Sequence, residues 1–429
     1  MRTLTRRDVS ILIGHALDHF DSSLYGFLAP VLAPLFFPDH DPIVQLILVY
    51  SVMGTSILTR PLGAFIFGMV ARKHGPLYGL SYSLIGVAVT TVCIGFLPGH
   101  AAIGWMAPFG LVVIRMVKGI FAAGEGTIAK LSIMEGKEER QALVASHFYQ
   151  SAPMAGIVLA SAVSLGVIAY YPEAWRFCFW AGGITGGAAY LLRRHAQGAC
   201  VAEESLSFHS YQLSHLSSLW THRTSVICVA IATGFGHLTY SIPFVFMNTF
   251  IPFITSVSLE TMMAFNTGLL IVDMGSIPFI GRWVLRYDGQ KVMIVASLVL
   301  AVTLVPLFLA LPEASLAYVL FVRLWIVFWG VVFLCPLNFW FKGLFPLREQ
   351  YLLVGMSGAL GAATLGRLTV PCCFWLWHMG GSPLWPSLYM VGMTLLTAGA
   401  LYWHVLKRAG LLRKGAGPLG AAVLDVRSG

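Results

Sequence analysis

The stretch from Ile43 to Val70, IVQLILVYSVMGTSILTRPLGAFIFGMV, is apolar on all sides of a helix and carries one charged residue, Arg60. It is longer than the ~20 apolar residues that a helix needs to cross a bilayer. A strand of a membrane barrel would instead show ~10-residue segments that alternate between apolar and polar residues. Long apolar runs recur along the whole chain, so the sequence predicts an all-α membrane protein.

The composition excludes an ordinary soluble protein. Of the 429 residues, 57% are hydrophobic and 10% are charged, whereas a soluble domain has ~25% charged residues. The seven cysteines show neither a disulfide framework nor a metal-ligand spacing with the histidines, so we expect no metal, no cofactor and no catalytic residues. The apolar segment from about Val9 to Phe37 is too long for a cleaved signal peptide.

The net charge of +9 is spread over short loops and does not form one basic face. Lys and Arg cluster in alternate loops, and the opposite loops are nearly free of them. This positive-inside pattern predicts a multi-pass protein of the cytoplasmic (inner) membrane with both termini in the cytoplasm. It also argues against a nucleic-acid partner. The clusters are Arg2/Arg6/Arg7, Arg72/Lys73, Lys137/Arg140, Arg193/Arg194, Arg282/Arg286/Lys291 and Lys407/Arg408/Arg413/Lys414.

The apolar runs predict twelve transmembrane helices in two six-helix bundles. The longest polar interval, 195–222, is rich in Ser, His and Glu and divides the chain in the middle. We therefore expect a first bundle at 1–194, a cytoplasmic linker at 195–222, a second bundle at 223–406 and a cytoplasmic tail at 407–429. The predicted helices are 8–36, 43–70, 77–97, 106–134, 143–170, 176–192, 223–252, 261–284, 290–311, 316–344, 351–378 and 386–406.

A weak internal repeat supports the two halves. Ile114-Arg115-Met116 is echoed by Val322-Arg323-Leu324 after 208 residues, and the Glu139-Arg140-Gln141 segment by Glu349-Gln350 after 210. Each match could be chance, but their offsets agree. Parallel repeats of six helices are typical of major facilitator transporters.

The first predicted helix carries acids inside the membrane, where an ionisable side chain costs ~2.5–3.5 kcal/mol and needs a partner, a wet cavity or a function. Gly14, Asp18, Asp21 and Tyr25 fall on one face at helical spacing, so we expect both carboxylates to face the same neighbour, with His15 beside them. Two acids this close repel, which favours one of them holding a proton. Proton coupling and static ion pairs are both open readings.

The fourth predicted helix carries Arg115, Lys118 and Glu125, with Lys118 and Glu125 two turns apart on one face. Arg115 or Lys118 could pair with Asp18 or Asp21. Sequence alone does not separate a structural salt bridge from a contact with solute.

Other polar residues are predicted near mid-membrane. Arg60 lies about twelve residues from the cytoplasmic end of its helix, ~18 Å at 1.5 Å per residue. In the second half Asp273 is expected to pair with Arg323 or Arg367. Gln150 begins the fifth helix on a possible cavity face.

The chain resembles the metabolite:proton symporters, a branch of the major facilitator superfamily that includes proline/betaine, α-ketoglutarate, citrate and shikimate permeases. The resemblance covers the whole chain and is strongest in the first half. The motifs that carry it are Gly14-(x)3-Asp18-His19-Phe20-Asp21-(x)3-Tyr25-Gly26-Phe27, Arg60-Pro61-Leu62-Gly63, Phe67-Gly68 and Arg115-(x)3-Gly119-(x)4-Gly124-Glu125.

The resemblance implies proton-driven symport of a small polar metabolite by a monomer that exposes its site to each side in turn. Asp18, Asp21 and Glu125 would couple the protons. The gating loop between the second and third helices departs from the family pattern, because Arg72 stands where relatives usually have Asp. The candidate solute-binding residues are Arg60, Arg115, Lys118, Tyr25, His15, Gln150 and Arg323, and the candidate gating-loop residues are Gly68, Arg72 and Gly75.

We therefore predict a secondary active transporter of a small organic anion or zwitterion, of the carboxylate, proline or betaine type. The extra cation at Lys118 mildly favours an anion. The alternatives are a proton-independent exchanger or facilitator and a membrane sensor that transports nothing. The first would show counterflow without a pH gradient, and the second would move no metabolite.

Overall fold

A computed structural model describes residues 5–134, 137–200, 217–284, 286–346 and 350–415, some of them, including Arg72 and Glu125, by their backbone only. All the regular secondary structure in the described part is helical. Its α-helices are α1 (Arg6–Phe27), α2 (Ala29–Phe36), α3 (Pro42–Gly54), α4 (Ser56–His74), α5 (Pro76–Phe96), α6 (His100–Ile103), α7 (Met106–Ser132), α8 (Glu139–Tyr170), α9 (Trp175–Cys200), α10 (Ser217–Thr221), α11 (Arg223–Ser241), α12 (Met247–Ile254), α13 (Leu259–Val284), α14 (Gly289–Leu309), α15 (Leu316–Lys342), α16 (Gln350–Gly361), α17 (Thr369–Gly380) and α18 (Leu384–Gly415).

These helices follow the predicted ones with local breaks. The first predicted helix is divided at Leu28, where Pro30 begins a new helix, and the second is divided at Thr55. The end of the first helix at 36 is reproduced. The last helix runs on to Gly415, beyond the predicted end at 406, because its basic residues continue the helix outside the apolar run.

Ten segments of the described residues are long and apolar enough to cross a membrane. The first predicted helix is not among them, because acids and histidines interrupt its apolar run. The sixth, on α9, is also missing from the ten. Twelve spans therefore stay a prediction.

Two π-helical turns interrupt long helices in the second half. Ile242–Phe246 joins α11 to α12, and Ala362–Gly366 leads from α16 towards α17. In the second turn the Arg367 amide donates to the Ala362 carbonyl at 3.0 Å, five residues back. Such turns insert an extra residue into a helix and are frequent at functional sites.

The same helix packing occurs twice along the chain. In the first half α1 packs on α8 and α5 on α9; in the second half α11 packs on α16 and α14 on α18. The halves meet where α8 packs on α13 and α4 on α16. The recurrence agrees with the internal repeat that the sequence indicates.

Glycines allow the two equivalent crossings to be tight. A Cβ added to Gly156 of α8 would lie 1.8 Å from the carbonyl oxygen of Ala16 on α1. A Cβ added to Gly361 would lie 1.9 Å from the carbonyl oxygen of Ala230 on α11. Only a residue without a side chain fits at either crossing, as is usual where membrane helices approach closely.

Candidate functional site

A cavity of about 290 Å³ lies between the two halves of the chain. Its wall is formed mainly by α1 and α8 on one side and by α11, α15 and α16 on the other, with Arg60 contributed by α4. The polar and charged side chains that line it are His15, Asp18, His19, Ser22, Ser23, Tyr50, Arg60, Tyr149, Gln150, Thr233, His237, Tyr240, Ser241, Asn338 and Arg367. The cavity therefore offers a wet, charged site at the junction of the halves.

Asp18 is the one carboxylate among the described residues that line this cavity. Its side chain is buried, and Lys118, Arg60 and Arg367 all attract it electrostatically. Because these cations come from different halves, Asp18 links the charge of one half to that of the other.

Arg60 and Arg367 bring two positive charges to the same cavity, one from each half. They repel each other, and Asp18 is their shared counter-charge. The Nε of Arg60 is buried without a hydrogen-bond partner. Among the described residues of the cavity lining, one carboxylate against two guanidinium groups leaves an excess positive charge, which an anionic solute would neutralise.

Two histidines lie beside Asp18. His19 Nδ1 is 3.0 Å from the His15 carbonyl and 3.8 Å from Asp18 Oδ2, and the His15 ring stacks on Tyr149 with a centroid distance of 4.4 Å. The ligand atoms of His15, Asp18 and His19 lie within 4.8 Å of one another. Imidazole and carboxylate could hold a transition metal, but the two nearby arginines would repel a divalent cation, so this charge pattern suits a proton better.

Asp21 is not among the residues that line the cavity, whereas Asp18 is, although Lys118 attracts both acids as the helical spacing predicts. Asp21 Oδ2 lies 2.5 Å from Lys118 Nζ and accepts a 2.5 Å hydrogen bond from Thr91 Oγ1, while Lys118 donates to Thr91 at 3.0 Å. All three side chains are buried. Three residues correspond to 300° around a helix, and the 60° difference leaves Asp18 on the cavity lining while Asp21 lies against Lys118.

Arg115 and Tyr25 form a second buried contact outside the cavity lining. The Arg115 guanidinium lies 3.6 Å from the centroid of the Tyr25 ring, and the Tyr25 hydroxyl donates to the Val49 carbonyl at 2.8 Å. Cation–π contacts of this kind stabilise a desolvated arginine. In this conformation Arg115, Lys118 and Tyr25 hold α1 and α7 together and do not reach the cavity.

Arg323 is fully buried away from the cavity. It donates to the side-chain oxygen of Asn266, whose Nδ2 donates to Ser161 Oγ at 3.3 Å. The expected pairing of Asp273 with Arg323 or Arg367 is absent among the described residues. Arg323 is instead bound by the Asn266 amide, and Asp273 lies in the wall of a separate, smaller pocket.

Gln150 lies on the cavity wall, as expected from its place at the start of the fifth predicted helix. Its Oε1 accepts a hydrogen bond from Asn338 Nδ2 at 3.1 Å, which connects α8 to α15. Tyr50 and Thr249 are similarly 3.1 Å apart. Both contacts cross between the halves.

The gating-loop residues lie at the end of α4. Gly68 is inside the helix, and Gly75 ends it with φ of 90°, a value that favours glycine. The side chains of Arg72 and Glu125 lie outside the described ones.

Arg367 is the main cavity residue missing from the sequence-derived site. The sequence indicates Arg367 as a mid-membrane cation, but only as one of the two expected partners of Asp273. The extra residue of the π-helical turn before it changes the direction of its side chain, and no periodicity in the sequence signals that turn.

The fold matches solved transporters over nearly its full length. A partially occluded, inward-open xylose transporter, XylE from E. coli, superposes with a TM-score of 0.70 at 14% identity and covers 92% of this chain and 96% of its own. The human organic anion transporter MFSD10 gives a TM-score of 0.63 at 16% identity, with 92% and 99% coverage. The chain therefore has the fold of these transporters.

The chain also has relatives in sequence. The proline/betaine transporter of Escherichia coli K12 is 24% identical over all of this chain and 91% of its own length. The α-ketoglutarate permease of the same organism is 26% identical over 84% of this chain and 86% of its own. No protein-family model matches the chain. These relatives confirm the predicted likeness to the metabolite symporters. They show that the chain is a secondary transporter of small organic solutes and not an enzyme. They also support a multi-pass protein of the inner membrane.

Proposed function

We propose that this transporter carries a small organic anion together with protons, by exposing the central cavity to each side of the membrane in turn. The observation that supports this most is that Asp18, Arg60 and Arg367 line one cavity and that both arginines attract the Asp18 carboxylate electrostatically. The arginines would hold the carboxylate of the solute, and Asp18 would take up the proton. The relatives' solutes span zwitterions and a dicarboxylate; the excess positive charge favours the carboxylate.

The proton and the anion would assist each other. When Asp18 is ionised, it competes with the solute for the two guanidinium groups. When Asp18 is protonated, both arginines are available to the anion, since the counter-charge is gone. Solute binding and protonation would therefore be mutually favourable, as linkage requires of two coupled sites.

Asp21, Arg115 and Lys118 would support this site from behind. We assign the buried Asp21–Lys118 pair a positioning role, because it fixes α1 against α7 and so sets the position of Asp18. Glu125 stays a candidate coupling acid from the family resemblance alone.

Alternating access would use two bundles, 1–194 and 223–406, that rock about the cavity, with the linker 195–222 and both termini in the cytoplasm and with the monomer as the unit. Contacts between the halves, such as Tyr50–Thr249 and Gln150–Asn338, would break on one side and form on the other. Rigid rocking of the repeats around a fixed site is the usual mode of this fold.

A proton-independent exchanger is the second candidate, and one observation favours it. Two arginines that share one acid leave the solute-free cavity with an excess positive charge. Such a cavity would reorient more readily with an anion bound, which is the behaviour of an exchanger.

Proteoliposomes distinguish the two. With an inward proton gradient, symport predicts accumulation of radiolabelled α-ketoglutarate above that of glycine betaine, and collapse of that accumulation with an uncoupler. Asp18→Asn should lose accumulation yet keep counterflow. The matched control, Asp39→Asn in an exposed loop, should behave as the wild type.

Accumulation that ignores the gradient, with counterflow intact, would favour the exchanger. No movement of either probe or of a broad metabolite panel would refute the proposal.

A further inference from the structure

A second, smaller pocket lies beside the central cavity and plays no part in the proposed function. Its volume is about 20 Å³, enough for one water molecule. Gln150, Met154, Tyr240 and Leu334 line both spaces. The small pocket is therefore separated from the solute cavity only by the thickness of these side chains.

Asp273 of α13 lies in the wall of this pocket. Its side chain is 6% exposed, and among the described residues no hydrogen bond or ion pair reaches its carboxylate. An ionised carboxylate is strongly disfavoured in such surroundings unless it is paired. Ionisable residues inside a membrane protein are costly and are usually functional. The Asp273 carboxylate is therefore expected to bind either a cation or a proton when the pocket is closed to solvent.

The rest of the pocket is unsuited to a metal cation, which needs several oxygen ligands. Phe244, Ile277 and Val327 supply hydrocarbon. Gln150 already accepts a hydrogen bond from Asn338, and Thr239 Oγ1 donates to the Gly236 carbonyl at 2.9 Å. A proton needs no further ligands and fits this set.

Among the described side chains, those that face Asp273 from the packed helices place no cation beside the acid. Tyr240 of α11 and Cys335 of α15 share its pocket. The His147 ring of α8 packs against Gly281 and lies near Arg282, and both of these α13 residues are about two turns beyond Asp273. On α15 Arg323 is bound to Asn266, two turns the other way. The short α12 carries no titratable residue.

We propose that Asp273 is a second proton-binding site, which exchanges a proton with the central cavity through this small pocket during each transport cycle. A hydronium ion in the cavity gives its proton to the carboxylate, leaving a neutral acid and a water molecule. The reverse transfer releases the proton when the cavity opens to the other side. This inference rests on the proposed proton-coupled transport, to which it adds a second proton per cycle.

The first experiment needs no solute. Infrared difference spectra of the purified protein in liposomes are recorded as the pH is stepped from acidic to alkaline. A carboxylic acid band should disappear on alkalinisation, should be missing in Asp273→Asn and should change frequency in Asp273→Glu. The control Asp39→Asn should keep it. If both Asp273 variants leave the difference spectrum unchanged, the inference is overturned; if Asp273→Asn fails to fold, Asp273→Glu, which keeps an acid, decides the matter.

The second experiment counts protons. The slope of the logarithm of α-ketoglutarate accumulation against the pH gradient should fall by one proton per solute in Asp273→Asn and stay at the wild-type value in Asp273→Glu. An unchanged slope with intact transport would remove Asp273 from the cycle. If the wild type shows no proton-driven uptake at all, the proposed function fails, while the infrared experiment still decides whether Asp273 exchanges a proton.

Discussion

Lys118 Nζ lies 2.5 Å from Asp21 Oδ2, and the two side chains are 4% and 3% exposed. The pair connects α7 to α1 behind the cavity, and Thr91 of α5 hydrogen-bonds to both partners. Because the pair is so deeply buried, each residue depends on the other to compensate its charge.

Lys118→Met should destabilise the transporter by about 3–5 kcal/mol, because it leaves the Asp21 carboxylate buried without its counter-charge. The double variant Lys118→Met/Asp21→Asn should lose less than Lys118→Met alone. Thermal unfolding in detergent measures both. Losses that simply add would show that the two residues are not coupled.

Removing the charge of Arg367 should weaken the affinity for α-ketoglutarate. A hydrogen bond to a charged group contributes ~1.5–3 kcal/mol, so Arg367→Gln should raise KM roughly 10- to 100-fold, with Arg367→Lys in between because lysine cannot form a bidentate contact. Concentration-dependent uptake into proteoliposomes measures this. Arg286→Gln, at an exposed position, is the control, and equal KM values for the two Gln variants would contradict the role.

The ring of Tyr25 should matter more than its hydroxyl. Tyr25→Phe keeps the ring under Arg115 and loses the hydrogen bond to Val49, at a cost of about 1 kcal/mol. Tyr25→Leu also removes the cation–π contact, which adds ~2 kcal/mol for a desolvated arginine. Melting temperatures in detergent give the order, and the exposed Tyr82→Leu serves as the control. Equal losses in the two Tyr25 variants would show that the ring contributes nothing beyond its hydroxyl.

Gly156→Ala should be far more damaging than Gly166→Ala in the same helix. A Cβ at Gly156 would lie 1.8 Å from a backbone oxygen of α1, whereas a Cβ at Gly166 meets nothing within 4 Å. Forcing α8 away from α1 costs packing along the whole crossing. The yield of folded protein and its melting temperature provide the test. If both substitutions are tolerated, moving α8 away from α1 costs little free energy, and the prediction is wrong.

The class of the protein, the fold and much of the site could be predicted from the sequence. A charge at membrane depth is so costly that Asp18 and Arg60 could be singled out before their surroundings were known, and Gln150 could be chosen by its position on a helix face; all three line the cavity. Whether each contributes to transport stays a prediction.

The other contacts of the site could not be predicted, because helical periodicity does not determine which neighbour each side chain meets. Asp18 and Asp21 differ by 60° around α1, and only the packing of α5 and α7 decides that the second acid meets Lys118. Arg115 and Arg323 were equally costly charges, but each found a buried partner away from the cavity, an aromatic ring in one case and an amide in the other. A sequence shows that a buried charge needs compensation; it does not show which neighbour supplies it.

The π-helical turn at Ala362–Gly366 has a consequence for insertions and deletions in this region. Each residue turns an α-helix by 100°, so the extra residue of this turn sets the angular phase of everything after it. Deleting one residue there would restore a regular helix and rotate Arg367 about a quarter of a turn away from Asp18. Tyr50 also stacks on Phe374 of the same helix, so the contact with α3 would rotate with it. The length of this turn, and not only the identity of its residues, is thus part of what places a positive charge in the cavity.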